Sequence, residues 1–132
     1  MIFVDSSFWI GLRNRRDAHH EEARALYPLH ANAGLVTSNH VRGETWTYLR
    51  RRAGHGAGVS FLDMLERSPR LRILTVEPKQ EAEALRWLRQ HDEREYSFVD
   101  ATSFALMRAL RIREALAFDG DFAAAGFNEL RP

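Results

Sequence analysis

The chain has 132 residues, 45% hydrophobic and 28% charged, with a formal net charge of +1 and no cysteine. That length and balance describe one compact domain spanning residues 1–132, large enough to bury a core and too apolar to be disordered. The missing cysteines exclude disulfides, thiolate zinc sites and iron–sulfur clusters, and the near-zero net charge offers no global electrostatic case for nucleic-acid binding.

Ile2-Phe3-Val4 is a short apolar run that stops at an aspartate, the pattern of a buried strand. Ser6 to Arg16 reads as a helix, and a second runs from about Ala18 to Ala31, with Ala23, Leu26 and Tyr27 on one stripe and Pro28 marking a kink or an end. Leu35-Val36-Thr37 is the next strand. Ser38 or Asn39 caps a helix that reaches about Arg52.

Gly54 to Gly58 reads as a glycine-rich break, followed by a helix through Phe61, Leu62 and Leu65 that stops before Pro69. Leu71 to Val76 is a strand, and Pro78 suits the first turn of the following helix. Ser97 opens a long helix to about Arg111. Ala115 to Phe118 is the last clear strand, again running into an aspartate, and a short tail follows. The alternation of strands and helices predicts an α/β fold with a mainly parallel sheet.

The informative residues are carboxylates. Asp5 and Asp119 each follow a short apolar strand, and ligands of open parallel sheets bind outside the carboxyl ends of strands. Each is equally explained as the cap of the turn or helix that follows. Asp100 lies on a helix that is apolar nearly all round, where an unpaired charge costs several kcal/mol. A metal or an arginine would relieve it, and a capping box with Ser97 is the competing explanation. Glu44 shares a helix face with Val41 and Tyr48, which turns it inward, although a lone glutamate is more often a solvated one. Asp121 is either an outer ligand or, slightly favoured, the cap of a final short helix.

Oxygen donors without cysteine or paired histidines suit Mg²⁺ or Mn²⁺. Such ions can clamp a phosphodiester and activate water, so that no side-chain base is needed. The six histidines lack metal-binding spacing and read as surface or structural residues. Arginine outnumbers lysine, since Lys79 is the sole lysine. Its fork suits phosphate, but a GC-rich coding bias explains it as well.

Four segments together resemble the PIN-domain family, and within it the VapC-type toxins of bacterial toxin–antitoxin pairs. They are Phe3-Val4-Asp5-Ser6-Ser7, Val41-Arg42-Gly43-Glu44-Thr45, Tyr96-Ser97-Phe98-Val99-Asp100-Ala101 and Ala117-Phe118-Asp119-Gly120-Asp121-Phe122, in order over almost the whole chain. The resemblance implies a PIN-like three-layer fold whose acidic residues converge at the sheet's carboxyl edge. It also implies a metal-dependent endoribonuclease acting on RNA, inhibited by a cognate antitoxin and assembled as a homodimer. Asp5, Glu44, Asp100 and Asp119 match the family's catalytic and metal-binding positions. Ser7 matches the small polar residue that supports the site, and Asp121 matches a variable, accessory position.

Three other readings compete. A haloacid-dehalogenase-like phosphatase would use Asp119-Gly120-Asp121 as its Asp-x-Asp motif, but that motif heads its fold, and here only a tail follows. A non-catalytic RNA- or protein-binding module would use the carboxylates merely as caps, and a histidine-dependent nuclease would need no metal. No apolar run is long enough to span a membrane. Met1-Ile2-Phe3-Val4 carries neither a basic leader nor a cleavage site, so a cytoplasmic protein is expected.

Overall fold

The computed structural model describes residues 1–132. Five parallel strands form one sheet in the order β3-β2-β1-β4-β5. They are β1 (Ile2–Val4), β2 (Leu35–Ser38), β3 (Leu71–Leu74), β4 (Glu114–Leu116) and β5 (Asn128–Glu129). The helices are α1 (Ser6–Arg13), α2 (His20–His30), α3 (Asn39–Ala53), α4 (His55–Arg67), α5 (Pro78–Gln90), α6 (Phe98–Leu110) and α7 (Asp121–Ala124). With the right-handed crossovers that parallel strands take, the strand order carries the chain outward from β1 to β3 over one face of the sheet. The return from β3 to β4 lays α5 and α6 over the other.

β1 and β2 are buried along their whole length, as befits strands covered on both faces. The aromatic residues divide accordingly. Phe8, Trp9, Tyr27, Phe61 and Phe118 pack together beside α1, whereas Phe3, Trp87, Phe104, Phe122 and Phe127 form a separate group beside α6. The mainly parallel α/β architecture expected from the sequence is therefore present.

Several boundaries differ from the sequence reading, each for a local reason. α1 ends at Arg13, not Arg16, because Asn14 accepts hydrogen bonds from Arg16 N–H through its side chain and from Asp17 N–H through its carbonyl. Pro28 lies inside α2, which continues to His30. The break expected over Gly54–Gly58 is confined to Gly54, whose φ of 97° suits glycine, and α4 starts at His55. Gly58 is helical and small for another reason: a Cβ there would sit 2.7 Å from the Trp46 ring of α3.

β3 stops at Leu74, and the Val76 N–H turns to the Asn39 side chain at 3.0 Å. β4 stops at Leu116, so Asp119 does not follow it directly. β1 has already become α1 there, and the Phe118 N–H donates to Ser7 Oγ instead. The supposed tail holds α7 and the edge strand β5, which pairs Asn128 with Glu114. Two residues of strand carry no alternation by which to find them.

Candidate active site

β1 and β4 are neighbours in the sheet, and their chains leave it in different directions, β1 into α1 and β4 into the loop before α7. The crevice that opens between diverging connections is where parallel sheets bind ligands. Asp5 stands at the end of β1, Asp119 in the loop after β4, and Asp100 in the first turn of α6 above them. One carboxylate oxygen from each lies within 4.8 Å of the others.

Each is held by a distinct local device. Asp5 caps α1, its Oδ2 accepting from the Ser7 N–H at 3.1 Å and from Ser7 Oγ at 2.7 Å. The same Ser7 hydroxyl accepts from the Phe118 N–H at 3.0 Å, so one side chain ties the ends of both strands together. Asp100 forms the capping box expected with Ser97: its Oδ2 accepts from the Ser97 N–H at 3.0 Å and its N–H donates to Ser97 Oγ at 2.9 Å. Asp119 accepts from the Asp121 N–H at 3.2 Å. Capping and clustering thus coexist in the same side chains.

Glu44 stands apart from the three. The buried stripe of α3 is Val41, Thr45 and Leu49, with Glu44 half-buried on its flank. It accepts from Ser6 Oγ, which ties it to the turn that carries Asp5. Asp121 does not cap α7, a place taken by Gly120. It pairs with Arg94, Nε to Oδ1 at 2.8 Å, while Arg94 Nη2 donates to the Asp119 carbonyl at 3.2 Å. Ser6 and Arg94 were not singled out from the sequence. An isolated serine beside an aspartate and an arginine in a charged loop carry no spacing signal.

The electrostatics are those of charges crowded out of water. Burial, then the Asp119 charge, pushes the Asp5 carboxyl up to about 8, against the opposing Ser7 hydroxyl bond. Asp100 is pushed up to about 7, first by burial, and the bond from the Ser97 N–H opposes the shift. Asp119 is also raised. Although the residue is exposed, its carboxylate faces the other two, and partial desolvation is the largest cause. Asp5 Oδ1 is buried and has no hydrogen-bond partner. A buried oxygen left unmatched costs about 1–3 kcal/mol. The three oxygens and this orphan fit a divalent cation, which would satisfy the orphan and reverse the repulsion. The largest cavity, about 710 Å³ between α1, α2 and α4, contains none of these carboxylates.

The PIN-domain family profile matches residues 2–128. The 23S rRNA-specific endonuclease VapC20 of two Mycobacterium tuberculosis strains, CDC 1551/Oshkosh and H37Rv, is 54% identical over 132 residues, covering 100% of this chain and 99% of the relative. The crystal structure of M. tuberculosis VapC20, described as a sarcin-ricin loop cleaving toxin, superposes with a TM-score of 0.95 at 52% identity over the whole of both chains. VapBC2 from Rickettsia felis, solved bound to a promoter DNA fragment, shares the fold alone. Its TM-score is 0.63 at 17% identity, over 87% of this chain and 86% of that one.

The raised carboxyls set the sign of a pH effect. A group whose folded pKa exceeds its unfolded value stabilises fully below the unfolded value and loses that contribution as pH rises through the folded one. Metal-free protein should therefore lose melting temperature between about pH 4 and pH 8, the interval from the ordinary Asp value to that of Asp5. Asp5→Asn keeps the cap, since Asn is an equally good one. It should melt a few degrees above wild type at neutral pH, on the order of 1 kcal/mol. Equal melting of wild type and Asp5→Asn across that range, measured by calorimetry in EDTA, would contradict the crowding.

Proposed function

The chain belongs to the PIN-domain family, and from that premise we propose that it is a divalent-metal-dependent endoribonuclease, the toxin of a type II toxin–antitoxin pair, whose target is 23S rRNA. The observation that carries the reading is the convergence of Asp5, Asp100 and Asp119 at one sheet edge, with a buried carboxylate oxygen left unpartnered. A non-catalytic module would have no use for three mutually repelling carboxylates. The choice of RNA rests on the 54% identity to VapC20 over the full chain.

Asp5, Asp100 and Asp119 would hold Mg²⁺ or Mn²⁺, which when bound supplies Lewis-acid charge for phosphodiester hydrolysis. Ser7 fixes the Asp5 carboxylate and the backbone leading to Asp119. Glu44, tied by Ser6 to the turn that carries Asp5, would orient a water or join the ligands. Arg94 holds Asp121 and the Asp119 carbonyl, which keeps the loop in register with the other two aspartates. Half of the Asp5 carboxylate is saturated by Ser7, so only Oδ1 is free to bind. That division fixes the direction from which a cation is approached.

The same reading extends to assembly and place. An antitoxin would cover the acidic edge, an arginine from it pairing with the carboxylates, and the toxin would act as a homodimer in the cytoplasm. No helix is long and apolar enough to cross a membrane.

Cleavage of a 23S rRNA fragment should require Mg²⁺ or Mn²⁺ and leave 5′-phosphate ends. Asp5→Asn or Asp100→Asn should reduce the rate at least a hundredfold, on the order expected when a catalytic charge is lost. Full activity in excess EDTA, read on a denaturing gel, contradicts the metal role, and 2′,3′-cyclic phosphate ends contradict hydrolysis by water. The product of the neighbouring gene should co-purify with the protein and restore growth. Failure of both removes the toxin assignment and leaves the nuclease reading intact.

A further inference from the structure

Beside the carboxylates lies a cavity of about 190 Å³ whose walls are unlike them. Ser7 and Asp119 stand at its active-site end, and Ile10, Tyr48, Phe118 and His19 supply apolar and aromatic wall. The His19 ring lies flat on Phe118, with centroids 4.5 Å apart and planes at 7°. Its Nδ1 meets Glu22 Oε1 at 3.2 Å. The imidazole is thus a plate fixed in orientation, and its side chain is still 45% exposed.

The remaining wall is Asp17. Its Oδ1 accepts from the His19 N–H at 2.9 Å, which leaves Oδ2 and a second lone pair on Oδ1 free. Arg15 and Arg16 precede it in the chain, yet the arginines that pair with carboxylates are Arg24, Arg94 and Arg131. Arg15, Arg16 and Arg52 line the neighbouring cavity of about 380 Å³. The Arg52 guanidinium lies 5.3 Å from the centroid of the Tyr48 ring, so Tyr48 joins the two cavities. Guanidiniums without a carboxylate partner, gathered on one cavity wall, suit phosphates.

Proteins read unpaired RNA by stacking a splayed base on aromatic side chains and bonding its Watson–Crick edge. A carboxylate can only accept, so it selects for donors. Guanine alone presents two adjacent ones, N1–H and the N2 amino group. Adenine and cytosine place a ring-nitrogen acceptor beside their amino group, and uracil flanks its single N3–H with carbonyls. We propose that this cavity is a nucleobase subsite: a base next to the scissile phosphate stacks against His19 and Tyr48, and Asp17 selects guanine. The flanking phosphates lie along Arg15, Arg16 and Arg52, which offset the repulsion that Asp17 and Asp119 exert on the RNA backbone. This rests on the RNA-cleavage reading and adds the base that the enzyme chooses.

Asp17→Asn tests it, because the amide oxygen can still accept from the His19 N–H and hold the turn. Binding is measured by fluorescence anisotropy in an Asp5→Asn background with Mn²⁺, using hairpins from a 23S rRNA loop. Each loop guanine is replaced in turn by inosine, which lacks the N2 amino group. One replacement should weaken binding about tenfold, the scale of a bidentate base contact. Adding Asp17→Asn should weaken binding to the guanine hairpin by a similar factor and abolish the distinction from inosine. His19→Ala should weaken both hairpins alike. The subsite is refuted if no inosine position matters, or if Asp17→Asn keeps the guanine preference. Wild-type cleavage of the same hairpins separates the two readings. Guanine preference without cleavage supports the subsite and overturns the nuclease, and cleavage without that preference does the reverse.

Discussion

Parallel pairing of β1 with β4 sets Asp5 beside the segment that carries Asp119, and the charge gathered there must be accommodated by the surrounding fold. The two strands come from opposite ends of the chain, so the site exists only once the whole sheet is assembled. Their adjacency follows from the reversal of strand order after β3, which returns the chain to the far side of β1. Asp100 joins because α6, the helix before β4, starts above the same edge.

Holding three carboxylates in this place runs against their preference for water. The protein offsets part of the cost with bonds that favour the charged form: the Ser7 hydroxyl and N–H on Asp5, the Ser97 N–H on Asp100 and the Asp121 N–H on Asp119. Burial still dominates at all three. Arg94, bound at this edge, is taken up by Asp121 and the Asp119 carbonyl, and Arg131 by the Ala117 carbonyl, neither by the cluster. What the side chains leave unresolved, a divalent cation would resolve, and strain of this kind is commonly kept where function needs it.

Much of this was legible in the chain because the signals were local. Short apolar runs ending in Asp5 and near Asp119, a Ser97–Asp100 spacing at the start of an apolar helix, and Pro78 at a first turn are each read within a few residues. The parallel α/β architecture followed from the order of strands and helices, and its PIN-like form from the resemblance carried by four segments. The unread parts depend on distant partners. Gly58 is small because of Trp46, twelve positions earlier on another helix. Phe118 leaves the sheet because Ser7 captures its N–H. β5 exists only as an addition to β4. Asp17 falls between the two expected helices and carries no signal, and His19, at the start of the second, reads as a surface or structural residue. Stacking on Phe118 places it beside Asp119, which no spacing rule encodes. Glu44 is singled out by the resemblance more than by its helix face, and it lies half-buried on the flank of the Val41–Thr45–Leu49 stripe.

The central claim is that Asp5, Asp100 and Asp119 together form one cation site. Anomalous diffraction from crystals soaked in Mn²⁺ tests it most directly, since the ion's position is read without reference to any activity. The account predicts a peak within bonding distance of oxygens from all three aspartates, with Asp5 Oδ1 among them, and its loss in Asp5→Asn crystals. A peak elsewhere, or one between the aspartates that survives Asp5→Asn at full occupancy, would contradict it.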